Sequence, residues 1–132
     1  MNKDVSRGLV YEFQPHQIIC LEHDNTRLYA EVIEFVSSRQ MCWVRSMILV
    51  TLEDSQEPLA AGLPEQLILY DLSSGPDLLW PASLLRLALD TEVIPLLVRL
   101  DNPDVNVESD PDARQQLSYF ICAVWQAYPD KF

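Results

Sequence analysis

The stretch that decides the fold is Arg27–Val50, RLYAEVIEFVSSRQMCWVRSMILV. It contains two runs rich in aliphatic and aromatic residues, Arg27–Val36 and Gln40–Val50, joined by a few polar residues, which is the pattern of a β-hairpin. A third run, Gln17–Glu22, precedes them across the turn residues His23–Thr26. These runs predict a three-stranded antiparallel meander, which is typical of a small β-barrel or half-barrel, a scaffold that more often binds than catalyses.

Two further strands are predicted downstream of the meander. Thr51–Glu65 contains two prolines, one glycine and four acidic residues and is expected to be a loop. Leu67–Leu72 is expected to be a fourth strand, ended by the turn signal Ser73–Pro76. Asp77–Pro81 is expected to be a short fifth strand, in which Trp80 packs on the end of the barrel and Pro81 closes the ladder.

The remaining third of the chain has the pattern of helices. A short helix is expected over Thr91–Leu100, with Pro95 restricting it to a late start because proline belongs in a first turn. The acidic stretch Asp101–Asp112 is expected to be a solvated linker. A final helix, Pro111–Ala127, has apolar residues at steps of three and four, which predicts one buried stripe: Leu117, Phe120, Ile121, Val124, Trp125 and Tyr128.

These elements predict an α+β protein: a small antiparallel SH3-like β-barrel or curled sheet of about five strands, followed by C-terminal helices. The expected division is a barrel domain with an N-terminal lead-in at 1–84 and a helical extension at 85–132, packed on the barrel and containing the acidic linker 101–112. Both faces of the second and third strands are apolar, so that a helix or a partner must cover the second face.

The charge of the chain is strongly acidic and uneven. It has 20 acidic and nine basic side chains, for a formal net charge of −11. Residues 1–50 hold five basic and six acidic side chains, whereas residues 51–132 hold four basic and 14 acidic. This balance argues against unaided binding of nucleic acid or of an anionic membrane surface, which both require cations, and favours a protein partner with a basic surface.

The three cysteines, Cys20, Cys42 and Cys122, have no paired spacing and lie among apolar neighbours. We therefore expect reduced, buried thiols and a cytoplasmic protein. The N-terminus lacks the apolar core of a signal peptide, and no apolar run approaches the roughly 20 residues that span a bilayer. We expect no membrane insertion, and either a monomer or a homodimer.

No motif for a metal, cofactor or catalytic site stands out. His16, Cys20 and His23 do not have the spacing of a closed zinc site. The alternating polar residues from Asn102 to Asp110 resemble a calcium loop but lack its glycine and its final glutamate. We therefore expect no metal and no cofactor. Cys20 with one of the two histidines is the sole conceivable nucleophile–base pair, and its odd offset from His23 points the two side chains to opposite faces of a strand.

The candidate partner-binding residues are aromatic or basic and belong to the predicted barrel. Aromatic residues and arginine are enriched at the energetic centres of protein interfaces, whereas the alternative for each aromatic ring is packing in the core. The predicted contacts are Tyr29, Phe35, Trp43, Arg45 and Trp80.

The segment Gln17–Leu84 resembles SH3-like and Tudor-like small barrels. The resemblance rests on the order of the strands and on short stretches such as Leu28–Ile33, Cys42–Arg45 and Leu79–Pro81. Such barrels commonly act as protein-interaction modules, which is what the resemblance implies for this chain. The chain also resembles small acidic accessory proteins of cyanobacteria.

These observations favour a noncatalytic adaptor for protein–protein interaction, or an assembly or regulatory factor. One alternative is a small thiol-dependent hydrolase that uses Cys20 with a histidine. Another is a nucleic-acid-binding small barrel, against which the acidic balance argues. Whether the final helix docks on its own sheet or on a second copy of the chain is open, and we favour its own sheet because one face needs a cover.

Overall fold

The structure is a computed structural model that describes residues 12–52, 67–72, 75–101, 107–108 and 110–131. The predicted meander is confirmed: β1 (Ile18–His23), β2 (Thr26–Val36) and β3 (Met41–Leu52) pair antiparallel in sequence order. A loop was predicted at Thr51–Glu65. Its first two residues belong to β3, and the rest lies outside the described residues.

The third strand is long enough to pair with two others along its free edge. Its first half pairs with β5 (Asp77–Pro81), and its second half pairs with β4 (Leu67–Asp71). A short β6 (Arg86–Leu87) adds to the other side of β1, after a 3₁₀ turn at Ala82–Leu84. The sequence pattern missed β6, because two residues are too few to show alternation.

The sheet is curled but does not close into a barrel. Its order is β6-β1-β2-β3-β4-β7, where β7 is the short strand Val107–Glu108, and β5 lies on the free edge of the first half of β3. Within the described residues no ladder joins β6 to β7, so the curled-sheet form of the predicted α+β fold is confirmed and the closed barrel is not formed. The strand β7 (Val107–Glu108) pairs parallel with β4 and lies inside the stretch predicted to be a solvated linker; the neighbouring positions 102–106 lie outside the described residues.

Both predicted helices form. The first, α1 (Asp90–Asp101), contains Pro95 as its sixth residue, so the expectation that proline would confine the helix to a later start is wrong. The helix begins early because Glu92 lies in its first turn and accepts a hydrogen bond from the N–H of Leu89 at 2.8 Å, one half of a capping box. The second, α2 (Asp110–Ala127), ends one residue before a C-terminal 3₁₀ turn at Pro129–Lys131.

Each helix covers one face of the sheet. On the first face, α2 buries Ala113, Leu117, Phe120 and Val124 against the strands, so the final helix docks on its own sheet. On the second face, α1 buries Val93 and Leu96 in a smaller cluster with Cys20, Tyr29, Ile48, Val50 and Leu69. The α2 stripe is narrower than the sequence predicted, since Trp125 and Tyr128 are exposed.

Two β-bulges decide which side chains share a face. Between Val32 and Glu34 the register shifts by one residue, and a second shift after Tyr29 leaves Met47 without a partner on β2. Each bulge reverses the alternation along its strand. Phe35 therefore lies on the same face as Leu28, and Trp43 lies on the same face as Ile48.

Candidate functional site

The candidate site is the part of the second sheet face that α1 leaves uncovered. The helix lies over the end of this face that is formed by Cys20, Tyr29 and Val50. At the other end, the register places the same-face residues of β2, β3 and β5 side by side. We call this group the Trp43 patch; it consists of Glu34, Trp43, Arg45, Asp77 and Leu79.

The two apolar side chains of the Trp43 patch are exposed and adjacent. Trp43 is opposite Leu79 in the β3–β5 ladder, and their exposed fractions are 42% and 51%. Large apolar side chains that are scattered singly on a surface need no explanation. A cross-strand pair of them is different, because opposite residues have Cβ atoms roughly 5 Å apart and form one continuous apolar spot.

A carboxylate holds the patch in one arrangement. The indole Nε1 of Trp43 donates a hydrogen bond to Asp77 Oδ2 at 3.3 Å. The other oxygen of Asp77 lies 3.8 Å from Arg45 Nε. Asp77 thus orients an aromatic ring and a guanidinium together, which lowers the side-chain entropy that a partner would have to remove on binding.

A groove of about 320 Å³ adjoins the patch at Arg45. It lies where the β3 bulge meets the C-terminal half of α1, and β4 and β5 separate at the same point of β3. Its lining residues are Arg45, Ser46, Met47, Ile48, Asp71, Leu97 and Leu100. The walls are mostly apolar, and two charged side chains, Arg45 and Asp71, also line the groove, which is the usual composition of a recognition groove.

The structure does not bring the five predicted contact residues together. Trp43 and Arg45 lie side by side in the patch. Tyr29 is buried under α1, and its hydroxyl donates to Glu92 Oε1 at 2.6 Å. Phe35 and Trp80 lie on the opposite face, where their rings pack edge-on against Phe13 and Phe120 respectively.

Sequence reasoning missed the two patch residues on β5, Asp77 and Leu79. The strand itself was predicted with its observed bounds, Asp77–Pro81. Its partner and register were not readable from the sequence, because pairing of β5 with the first half of β3 skips over β4. Hydrophobic alternation in β5 alone would have assigned Leu79 and Trp80 to opposite faces without showing which face is open.

A second cluster of polar side chains fixes α1 to the sheet edge. The Arg86 guanidinium forms a two-pronged ion pair with Glu92, at 2.8 and 3.0 Å. Arg27 and Glu22 extend the network, with Arg27 Nε 2.7 Å from Glu22 Oε2. Burial is the largest single influence on Glu92 and opposes its ionisation, but the hydrogen bonds from Arg86, the Leu89 N–H and Tyr29, together with the charge of Arg86, outweigh burial and lower the Glu92 pKa to about 2. The carboxylate is therefore charged and paired at neutral pH, which suits an anchor rather than a proton-transfer group.

The geometry around Cys20 gives little support to thiol chemistry. Burial raises the pKa of the Cys20 thiol to about 12, despite the nearby Arg86. The strand register places His23 on the opposite face, and the Nδ1 of His16 is 2.8 Å from Glu31 Oε2. Cys42 is also buried, and burial raises its pKa to about 11. The expectation that all three thiols are buried is wrong for Cys122, which is exposed on α2.

Among the described residues, no group of three or more His, Cys, Asp and Glu side chains is arranged to hold a metal ion. The calcium-loop-like stretch from Asn102 to Asp110 lies largely outside those residues. No helix in the described part of the chain combines the length and the apolar character that crossing a membrane requires.

Comparisons with known proteins found no relative for this chain. It matches no protein-family model, no curated protein and no solved structure. The resemblances to SH3-like and Tudor-like barrels and to cyanobacterial accessory proteins therefore stay predictions.

Proposed function

We propose that this chain is a noncatalytic protein-interaction module, an adaptor or an assembly or regulatory factor, and that it contacts its partner through the Trp43 patch. The observation that carries the proposal is the exposed Trp43–Leu79 pair, held in place by Asp77 on an otherwise acidic protein. Tryptophan and arginine are the residues most enriched among energetic centres of interfaces, and both occur here on one rigid sheet.

The chemistry of the patch defines the partner. An apolar side chain of the partner would rest on Trp43 and Leu79 or enter the adjoining groove. Around them Glu34 and Asp77 outnumber Arg45, and the whole chain has a net charge of −11. A partner surface with an apolar centre and basic flanks is therefore electrostatically complementary, and basic flanks would also speed the encounter.

The proposal includes a cytoplasmic location. Cys20, Cys42 and Cys122 are free thiols in the structure. Unpaired cysteines fit a reducing compartment better than an oxidising one, where pairing or reaction of an exposed thiol such as Cys122 is expected.

The test compares capture of partners by the wild-type protein and by two patch variants. Tagged wild-type protein, Trp43→Ala and Leu79→Ser are used to isolate partners from the cells that naturally make the chain, and the bound proteins are identified by mass spectrometry. We expect a protein recovered with the wild type to be lost with both variants. With the isolated partner, either substitution should weaken the Kd by about tenfold or more, as expected for a residue at the centre of an interface.

The matched control is Leu87→Ser. Leu87 is as exposed as Leu79, at 50% against 51%, but it lies on β6 and by register on the first face. This variant should bind the partner like the wild type. Circular dichroism and thermal melting of all variants establish that they are folded. Equal capture by the folded Leu79→Ser variant and the wild type would refute the proposal, and unfolding of Trp43→Ala would show that Trp43 acts in the core.

A further inference from the structure

A second cavity lies on the opposite face of the sheet from the Trp43 patch. It has a volume of about 180 Å³ and is bounded by the β1–β2 turn, the end of β3 and the middle of α2. We call it the α2 cavity. Its lining includes His23, Asp24, Leu49, Tyr119, Phe120 and Ala123.

The size and the lining of the α2 cavity restrict what it can hold. Pockets for cofactors and drug-sized ligands measure roughly 300–1,000 Å³, so this cavity suits a single side chain rather than a larger molecule. Ala123 and the ring of Tyr119 supply apolar surface above the buried Leu49 and Phe120, and the other lining residues supply carboxylate, hydroxyl, amide and imidazole groups. An occupant with an apolar stem and a polar end would match both parts.

The charge of the cavity is negative. Asp24 is the one lining residue with a formal charge when histidine is neutral, and its side chain is 82% exposed. Its carboxylate lies 3.5 Å from His23 Nε2. The strongly acidic chain around it further favours a cation at this position.

The backbone of Asp24 adds a second observation. Its φ is 53°, in the left-handed region, and it occupies the first position of the two-residue turn between the paired residues His23 and Thr26. Glycine fits such a position best, and asparagine and aspartate are tolerated. The turn therefore does not require a carboxylate at this position, and asparagine can replace Asp24 without straining the backbone.

The exposed ring of Tyr119 stands at the same cavity. It is 58% exposed, and its hydroxyl accepts a hydrogen bond from Gln115 Nε2 at 2.9 Å, which orients the ring. An aromatic ring that lines the same cavity as a carboxylate favours an ammonium or guanidinium group there, because each attracts a cation.

We infer that the α2 cavity binds the side chain of a lysine or arginine residue of a partner protein. The methylene stem packs on Ala123 and on the ring of Tyr119, and the cation pairs with Asp24. This site is separate from the Trp43 patch and does not depend on the function proposed for it.

The inference is tested by NMR titration of the full-length ¹⁵N-labelled protein. The probes are N-acetyl-lysine N-methylamide and N-acetyl-arginine N-methylamide, with N-acetyl-norleucine N-methylamide as an uncharged probe with a similar stem. We expect saturable amide shifts at residues 23–26 and 116–123 with at least one of the cationic probes, and no saturable shifts there with the norleucine probe.

Two variants assign the binding to the cavity. Asp24→Asn keeps a residue that tolerates the left-handed backbone and should weaken binding by about threefold or more, as expected for a lost exposed ion pair. Ala123→Leu fills the apolar part of the cavity and should abolish binding without changing the charge. Asp90→Asn removes one exposed charge from the first turn of α1, on the other side of the sheet, and should leave binding unchanged.

Three outcomes would overturn the inference: saturable shifts of the same size with the norleucine probe, binding that Asp24→Asn leaves unaltered, or shifts with the cationic probes that map away from the cavity. The amide shifts are measured at residues around the α2 cavity. A negative result there would leave the test of the Trp43 patch unaffected.

Discussion

A single carboxylate, Glu92, joins α1 to the sheet. It accepts hydrogen bonds from Arg86, from the Tyr29 hydroxyl and from the N–H of Leu89. Its side chain is only 12% exposed. Removing one member of a buried ion pair leaves the other member without its compensating charge. The resulting loss of stability is larger than the net stabilisation that the intact pair provides.

We predict that Glu92→Gln lowers the free energy of unfolding by about 3 kcal/mol at pH 7. The pKa of Glu92 is lowered from 4.5 to about 2 in the folded protein. The unfolded chain therefore binds more protons between those two values, and the stabilisation by Glu92 is complete above pH 4.5 and is lost as the pH falls towards 2. Urea denaturation of both proteins across this range should show their stabilities converging at low pH.

The control for this prediction is Glu34→Gln, which changes an exposed carboxylate and should alter stability by less than about 0.5 kcal/mol. A difference between wild type and Glu92→Gln that stays constant from pH 7 to pH 2 would show that Glu92 acts through packing and not through its charge.

The three thiols should differ in reactivity. We predict that iodoacetamide at neutral pH modifies Cys122 well before Cys20 and Cys42, because Cys122 is exposed and burial raises the pKa of the other two. Mass spectrometry of peptides over time measures the labelling rate of each cysteine. The reference is the rate of each cysteine in guanidinium, where the chain is unfolded and all three thiols are accessible. Native labelling of Cys20 as fast as that of Cys122 would instead favour the thiol-dependent alternative.

At the scale of elements, the predictable features were those that depend on long periodic runs. The predicted ends of β1 to β5 and of both helices lie within about two residues of the observed ends. This agreement arises because hydrophobic alternation continues through Arg27–Val50 and the apolar stripe recurs along several turns of α2. The short strands β6 and β7 were missed. Two residues show no periodicity, and β7 is held by its pairing with β4 rather than by its own sequence.

The candidate site was harder to predict because the bulges are tertiary features. Unbroken alternation along β2 would place Tyr29 and Phe35 on the same face as each other. Unbroken alternation along β3 would likewise place Trp43 and Leu49 on the same face as each other. The register shifts near Glu34 and Met47 reverse both assignments. Trp43 and Arg45 could be selected from their residue types. Identifying their neighbours Asp77 and Leu79 required knowing how β5 pairs with β3.

The contact between α2 and the sheet gives a prediction at this scale. Leu117 is 3% exposed and packs in the cluster that contains strand residues and α2. Leu117→Ala should lower the free energy of unfolding by about 3 kcal/mol, from lost transfer energy and the cavity left behind. The adjacent exposed residue provides the control, since Ser118→Ala should change it by less than about 0.5 kcal/mol. Equal small effects in both variants, measured by urea denaturation, would show that α2 contributes little to the fold.

At the scale of the whole molecule, the two sheet faces are used differently. α2 covers the first face and leaves the small, acidic α2 cavity at one end. α1 covers part of the second face and leaves the apolar Trp43 patch open. The two proposals share one expectation, that each site favours a basic group, since the patch has acidic neighbours and the cavity has Asp24 at its mouth. One partner with a basic surface could therefore use either site, and two partners could bind at once on opposite faces.

The net charge of −11 gives the last prediction. Self-repulsion among excess carboxylates destabilises a compact chain, and salt screens it, since the Debye length falls from about 30 Å at 0.01 M to about 8 Å at 0.15 M. Exposed ion pairs such as Arg45–Asp77 are weakened by the same screening, but each is worth less than about 1 kcal/mol. We therefore predict that the Tm at pH 7 rises by several degrees when NaCl increases over this range.

The control for this prediction is the same measurement of Tm against NaCl at pH 5. The sequence pI is about 4.3, so that at pH 5 the net charge and the repulsion are smaller and the rise in Tm should shrink. The Glu92–Arg86 pair should be screened less than a surface pair, because the Glu92 side chain is only 12% exposed, although Arg86 is 39% exposed. Glu92→Gln should then show the same salt dependence as the wild type at pH 7. A Tm that falls with added NaCl would mean that attractive ion pairs, and not the excess of carboxylates, dominate the electrostatic stability of the fold.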